Sequence, residues 1–291
     1  AMCPACQAEY DDPGDRRFHA QPNACPVCGP RLALWTPSGE PIATSDPIAV
    51  VAARLREGAV VAIKGLGGFH LACDASRADA IALLRHRKHR EQKPFAVMVA
   101  DLASADHVAV LTREERALLS AAERPIVLVP RRQDAMLADG LSATAELGLM
   151  LPYTPLHHLL LRAVDRPLVM TSANPSDEPI CATNAEAVAR LGTIADLLLV
   201  HDREIATRCD DSVARVIAGH PTLLRRSRGC VPRASARARP VERAVLAVGA
   251  QLKNTFCVAT GDRAYLGPHI GDLDNPATPD FFAQAIRRLE D

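Results

Sequence analysis

Four cysteines near the start of the chain constrain its folding more than any other feature of the sequence. They form two Cys-x-x-Cys pairs, Cys3/Cys6 and Cys25/Cys28, with eighteen residues between the pairs. Each pair places two thiolates on one tight turn, and four thiolates complete the tetrahedral shell that zinc prefers. The segment has few apolar residues, so bound metal would have to stabilise it. The sequence therefore predicts one structural Zn²⁺, with two disulfides as the alternative.

The other cysteines and the overall charge restrict where the protein works and what it binds. Five further cysteines are scattered without pairing, which favours a reducing compartment and a cytoplasmic location. The 34 basic and 34 acidic side chains give a formal net charge of +0, so a global basic field for nucleic acid is absent. No uninterrupted apolar stretch reaches the length of about 18 residues that a transmembrane helix needs. We therefore expect neither a membrane nor nucleic acid as a partner.

Predicted strands alternate with predicted helices along most of the chain, which indicates an α/β fold. The strands are predicted at 59–63, 95–100, 125–130, 167–173 and 195–201, and the helices at 76–87, 112–122, 154–164 and 184–192. The segments 212–219 and 221–227 look like a closing hairpin, so the sheet should be mixed.

Two polar stretches predict linkers that divide the chain into three parts. The stretches are 36–47, rich in Pro, Ser and Thr, and 234–240. The predicted domains are a zinc finger at 1–35, a nucleotide-binding domain at 45–235 and a strand-like unit at 241–291. The last unit has too few residues to be a complete domain.

Two segments next to predicted strands could supply positive charge to an anion. Lys64 begins a glycine-rich turn, KGLGGFH, in which backbone could approach an anion, although a plain tight turn is equally plausible. The basic run 85–94 contains Lys88 and Arg90 and could supply the converging cations that a polyphosphate needs. A solvated helix end is the alternative for this run.

Two further segments could hold a nucleotide. Hydroxyls and an amide suited to phosphate oxygens or a nucleoside end one predicted strand, at Thr171, Ser172 and Asn174, with an ordinary polar turn as the alternative. The stretch 209–232 contains Asp211, Ser212, Arg225, Arg226 and Arg228, and arginines near a sheet end suit phosphate contacts.

These segments together resemble a known family. Lys-Gly-x-Gly-Gly-Phe-His, Arg-Lys-His-Arg-x-x-Lys-Pro, Thr-Ser-Ala-Asn and Asp-Asp-Ser-Val…Arg-Arg-Ser-Arg-Gly occur in the order found in the YrdC-like domain, over about residues 45–235. The cysteine segment looks like the second zinc finger of the HypF family, and LAVGAQLKNTFCVATGDRAYLGPHIGDLDN looks like the start of its TsaD-like domain. This order is typical of HypF, the carbamoyltransferases of nickel–iron hydrogenase maturation.

The resemblance implies a reaction and a set of site residues. A YrdC-like mixed, twisted sheet would bind ATP with Mg²⁺ and convert carbamate, derived from carbamoyl phosphate, to carbamoyl-adenylate. The TsaD-like domain would pass the carbamoyl group to a cysteine of the partner protein HypE. Phosphate and carbamate contacts are expected from Lys64, Lys88 and Arg90, nucleotide contacts from Thr171, Ser172 and Asn174, and closure over the phosphates from Ser212, Arg226 and Arg228.

The resemblance also predicts that this sequence should not complete the family reaction alone. The family's acylphosphatase domain, its first finger and most of the TsaD-like domain have no counterpart in these 291 residues, so an incomplete overall reaction is expected.

Two other functions stay open at the level of sequence. A YrdC-like module could bind double-stranded RNA or tRNA without catalysis, but an aromatic content of 3% disfavours base stacking. Threonylcarbamoyl-adenylate synthesis is a related reaction that the fused finger and the TsaD-like start disfavour.

Overall fold

An eleven-stranded mixed sheet forms the centre of the computed structural model, which describes residues 2–175 and 178–290. Its strands are β1 (Leu32–Trp35), β2 (Pro41–Ile42), β3 (Val61–Lys64), β4 (Phe69–Asp74), β5 (Ala96–Met98), β6 (Ile126–Pro130), β7 (Glu146–Met150), β8 (Leu168–Ser172), β9 (Leu197–His201), β10 (Val213–Ile217) and β11 (His220–Arg225). Their order across the sheet is β11-β10-β6-β7-β5-β8-β4-β3-β9-β1-β2. Parallel and antiparallel pairs are both present, for example β3 with β9 and β3 with β4. The predicted α/β class and the mixed sheet are therefore confirmed.

The described residues contain eight helices, of which the first lies in the cysteine segment and the others flank or follow the sheet. They are α1 (Pro4–Asp11), α2 (Pro47–Arg56), α3 (Ala78–Lys88), α4 (Leu102–Asp106), α5 (Arg113–Ser120), α6 (Pro155–Val164), α7 (Asn184–Leu191) and α8 (Thr278–Glu290). Local sequence fixes several of their ends: Thr112 and Thr183 each form a capping box with a glutamate three residues later. No helix in the described ranges combines the length and the apolar character needed to span a membrane.

Alternating side chains along the strands build one apolar layer on each face of the sheet. On β3, for example, Ala62 belongs to one layer, whereas Val61 and Ile63 belong to the other. Helices α3, α5 and α7 pack on the first layer, and α2 and α6 pack on the second. Strands β3, β5, β6, β8 and β9 coincide with predicted apolar runs, whereas the buried strands β4 and β7 were not predicted.

The predicted linkers are wrong in part. Residues 234–240 begin β12 (Ala234–Val248), which pairs with β13 (Phe256–Leu266) in a separate two-stranded sheet. Within 36–47, β2 pairs with β1, and Pro47 begins α2. Strand β1 also pairs with β9, so the chain leaving the cysteine segment enters the central sheet directly. Exposed or very short strands carry little apolar signal, which explains these errors.

Candidate functional site

The four cysteines near the start of the chain come together as the spacing predicts. The sulfur–sulfur distances are 3.7 Å for Cys3–Cys25, 3.8 Å for Cys25–Cys28 and 3.6 Å for Cys6–Cys28, and all four sulfurs lie within 4.8 Å of one another. A tetrahedron with Zn–S bonds of about 2.3 Å has edges of about 3.8 Å. The donor set therefore fits Zn²⁺, whereas these distances far exceed the length of about 2.05 Å of a disulfide bond.

Local hydrogen bonds prepare this cluster for metal. Backbone amides of Cys3 and Cys25 lower the pKa of Cys28 to about 6, which favours the thiolate form that binds zinc, whereas burial raises the pKa of Cys6. Asn23 donates from Nδ2 to the carbonyl of Cys6 at 2.8 Å and ties the two Cys-x-x-Cys turns together. Four protein ligands leave no open coordination position, so the site suits a structural metal.

A groove of about 290 Å³ lies over β5, β6, β7 and the end of β8. Apolar side chains, among them Phe95, Ile126 and Met170, line its floor. Its polar rim is formed by Arg90, Lys93, Thr171, Ser172, Asp210 and Arg225. An apolar shelf beside converging cations is suited to a nucleoside with attached phosphates.

A smaller cavity of about 80 Å³ continues the groove. Lys93, Ser172, Asp210 and Arg225 line both cavities, so these side chains mark their junction. Residues that follow β12 close the smaller one, and they include Lys253 and His269.

Lys88 is buried behind the rim of the groove and bonds to the loop after β8. Its Nζ donates to the carbonyl of Ser172 at 2.5 Å and to the carbonyl and Oδ1 of Asn174, both at 2.8 Å. Burial, with help from Arg90 and Lys93, lowers the pKa of Lys88 to about 7. An ammonium held this far from water gains strongly from a nearby anion.

Arg90 reaches the same strand end through a reversal of the chain. Helix α3 ends at Lys88 and is capped by His89, whose φ of 50° is left-handed, and the chain then turns back toward the sheet. The Arg90 Nη1 donates to Thr171 Oγ1 at 2.8 Å, and its guanidinium carbon lies 4.9 Å from the ring centroid of Phe95. Burial and nearby arginines lower the pKa of Arg90 to about 10.

Five of the predicted site residues thus form one cluster: Lys88, Arg90, Thr171, Ser172 and Asn174. A bond of 2.9 Å from Ser172 Oγ to Asn174 Oδ1 completes it. The basic run is not a solvated helix end, because its arginines also turn inward. Arg85 donates to the carbonyl of Gly140 at 2.7 Å, and Arg87 pairs with Asp196 at 2.8 Å.

Lys64 lies apart from this cluster. It is buried, its Nζ donates to the carbonyl of His201 at 2.9 Å, and it is not among the residues that line the two cavities. Burial lowers the pKa of Lys64, partly offset by Asp202 and Glu204. Its predicted contact with phosphate or carbamate stays a prediction, and its placement does not support it.

The glycine turn serves close packing. A Cβ at Gly67 would lie 2.3 Å from the carbonyl oxygen of Cys209, and one at Gly68 would lie 2.6 Å from Ile180. The backbone amide of Cys209 donates to the carbonyl of Gly67 at 2.9 Å. The glycines therefore let the loop before β10 approach the turn. They form a plain tight turn and not a backbone site for an anion.

Ser212, Arg226 and Arg228 lie behind the groove wall. Ser212 donates to the carbonyl of Arg228 at 3.0 Å and accepts from the amide of Ser227 at 2.9 Å. Arg226 donates to the carbonyl of Arg233 at 3.2 Å. Neither arginine lines the two cavities. Their predicted contacts with phosphates stay predictions, while this placement favours a supporting role.

Of the residues that face the groove from this side, the sequence analysis noted Asp211 and Arg225 without assigning them a role, and it missed Asp210. Arg225 and Asp210 line both cavities, and Asp211 lines the larger one. The adjacent acids of CDDSV and the arginine cluster of RRSRG were the available signal, but neither shows which member faces a ligand.

Comparisons with known proteins agree across the whole chain. The family model described as Telomere recombination, Sua5/YciO/YrdC, matches residues 53–227. The models described as HypF finger and HypF Kae1-like domain match residues 2–35 and 240–291.

Individual relatives give the same result. The carbamoyltransferase HypF of Rhodobacter capsulatus is 52% identical over 98% of this chain and 38% of its own length. A crystal structure of full-length HypF in the phosphate- and nucleotide-bound form has a TM-score of 0.94 and 45% identity over 100% of this chain and 38% of its own. The human threonylcarbamoyl-AMP synthase is 29% identical over 53% of this chain and 53% of its own. The chain spans less than half the length of the HypF proteins that it matches.

Proposed function

The chain belongs to the HypF family, and we propose that its Sua5/YciO/YrdC domain uses ATP to activate carbamate as carbamoyl-adenylate. The observation that carries the proposal is the convergence of Lys88 and Arg90 on the end of β8 and the loop after it. Arg90, Thr171 and Ser172 line the groove, Asn174 lines the smaller cavity, and Lys88 is buried behind them. The full-length HypF relative is described as nucleotide-bound, which supports a nucleotide in this family.

The proposed chemistry asks the protein for positioning and charge more than for covalent participation. A carbamate oxygen attacks the α-phosphorus of ATP, the bond from that phosphorus to the β-phosphate oxygen breaks, and pyrophosphate leaves with the electron pair. Lys88 and Arg90 stabilise the charge on the phosphates, and Thr171, Ser172 and Asn174 orient the nucleotide. Mg²⁺ would arrive with ATP, and Asp210 at the junction of the cavities is a suitable carboxylate ligand for it.

The wider role follows from the family. We propose that carbamate derives from carbamoyl phosphate, that the carbamoyl group passes to HypE, and that the pathway serves nickel–iron hydrogenase maturation. The nine free cysteines agree with a reducing, cytoplasmic location, and the cysteine cluster would hold structural Zn²⁺.

Two observations bear on the alternatives. Arg85 and Arg87 of the basic run donate to backbone carbonyls and to Asp196, so they are poorly placed to bind RNA. Threonylcarbamoyl-adenylate synthesis would use the same nucleotide groove, and the human synthase is a relative, so the test must include threonine.

The test is exchange of labelled pyrophosphate into ATP, measured with carbamate and, separately, with bicarbonate plus threonine. We expect exchange with carbamate and its loss in the double variant Lys88→Ala, Arg90→Ala. Two charge-assisted contacts are together worth about 3 kcal/mol or more. Arg162→Ala removes an exposed charge on α6 and is the matched control. Exchange that requires threonine would favour the alternative, and an active double variant would contradict the proposed site.

A further inference from the structure

A buried ion-pair network lies directly behind the groove wall. The Asp211 carboxylate accepts from His70 Nε2 at 2.9 Å through Oδ2 and from Arg228 Nε at 2.9 Å through Oδ1. The exposed fractions of His70 and Asp211 are 3% and 8%. The guanidinium carbon of Arg228 lies 3.5 Å from the ring centroid of Tyr153, whose hydroxyl is 3.4 Å from His70 Nε2. Burial raises the pKa of Asp211, but His70 and Arg228 outweigh it and hold that pKa below its usual value.

The same aspartate connects this network to the groove. Its backbone carbonyl accepts from Arg225 Nε at 2.8 Å, and Arg225 lines both cavities. Asp210, the neighbouring residue, also lines both. The position of Asp211 therefore sets where two charged side chains meet the proposed nucleotide.

His70 and Arg228 fix Asp211 from different parts of the fold. Arg228 is held by the carbonyls of Glu123 and Arg124, at 3.0 and 2.9 Å. His70 lies on β4, where its backbone is paired with Ser172 on β8. The bond from His70 to Asp211 thus joins the strand pair that carries the Ser172 cluster to the opposite wall of the groove.

We propose that His70 is a positioning residue of the adenylation site. Through Asp211 it holds Arg225 and Asp210 at a fixed position relative to the cluster around Lys88. The inference rests on the proposed function. It assigns no contact between His70 and substrate. It predicts that the length of the side chain at position 70, more than its volume, controls nucleotide affinity.

The test compares two amides of different reach. In His70→Gln the amide nitrogen can occupy the place of Nε2, whereas in His70→Asn it falls near Nδ1 and cannot reach Asp211. We expect His70→Gln to bind ATP nearly as the unchanged chain does, and His70→Asn to bind it at least about tenfold more weakly, the effect of losing one charge-assisted hydrogen bond. Melting temperatures of both variants establish that they fold, and equal ATP affinity in the two would overturn the proposal.

A double-mutant cycle separates positioning from a general structural effect. If His70 acts through Arg225, the loss of ATP affinity in His70→Asn should largely disappear in an Arg225→Ala background. If the two substitutions instead weaken ATP binding independently, so that their fold-losses multiply in the double variant, His70 does not act through Arg225. His157→Phe is the matched control, because His157 is buried beside His70 with neither ring nitrogen hydrogen-bonded to residues 2–175 or 178–290. It should bind ATP unchanged. Failure of the unchanged chain to bind ATP would instead refute the proposed function.

Discussion

Binding of ATP should draw a proton onto Lys88. Burial, Arg90 and Lys93 lower the pKa of Lys88 to about 7, from an ordinary value of 10.5. Phosphates in the groove oppose this shift, because an anion stabilises the charged ammonium. If the pKa returns near its ordinary value, binding takes up about half a proton at pH 7 and about 0.9 proton at pH 8.

The affinity for ATP should fall as pH rises above 7. Above its own pKa in the free protein, Lys88 is mostly neutral and must be protonated before it can pair with phosphate. The cost is about 1.4 kcal/mol, or tenfold in affinity, at pH 8 and about a hundredfold at pH 9. Below pH 6 Lys88 is already charged in the free protein, so binding carries no cost of protonation.

Calorimetry in buffers of different ionisation enthalpy measures the proton uptake directly. Lys88→Arg is the control, because a guanidinium stays protonated over this range and ATP's own ionisation is the same for both proteins. We expect the uptake at pH 8 in the unchanged chain to be absent in Lys88→Arg. Equal uptake in the two proteins would refute the argument, since ATP itself would then account for the protons.

Three other predictions concern stability and metal. Metal analysis should give one Zn²⁺ per chain, lost in Cys28→Ser, and zinc-free protein with oxidised cysteine pairs would contradict the assignment. Gly67→Ala should destabilise the protein by about 1–3 kcal/mol in urea unfolding, because its Cβ would lie 2.3 Å from the Cys209 carbonyl oxygen, and an unchanged midpoint would contradict this. The free energy of unfolding should rise between pH 7 and 10.5 through Lys88, since the unfolded chain binds the extra proton there, and Lys88→Met should flatten that slope.

The sequence predicted several central strands, β3, β5, β6, β8 and β9, because uninterrupted apolar runs mark them. Strands β3, β6, β8 and β9 each lie within two residues of a predicted apolar run. Two buried strands were also missed, because His70 and Asp74 interrupt the apolar run of β4 and Glu146 and Gly148 interrupt that of β7. The other missed strands have little apolar signal. Strand β2 has two residues, and β12 is exposed over most of its length, with arginines at 237 and 239. Their pairing partners decide their conformation, and pairing is not visible in local composition.

The site was predicted in part for a related reason. Residue types and their adjacency to strand ends identified Lys88, Arg90 and Asn174, which the fold brings together. The same reasoning chose Arg226 and Arg228 over Arg225, although Arg225 faces the groove. Three arginines within four positions have the same chemistry, and the end of β11 at Arg225 determines which of them points to the cavity.

One left-handed residue shows why charge alone could not locate the site. The basic run continues from α3 past His89, and an uninterrupted helix would spread its side chains around the helix axis. The turn at His89 ends the helix, so Lys88 bonds to the loop after β8 while Arg90 reaches back to Thr171. Two charges that are separated by one residue in the sequence thus contact the same strand end from different directions. Burial, and after it repulsion from Arg90, lowers the pKa of Lys88, and a bound phosphate would oppose both effects.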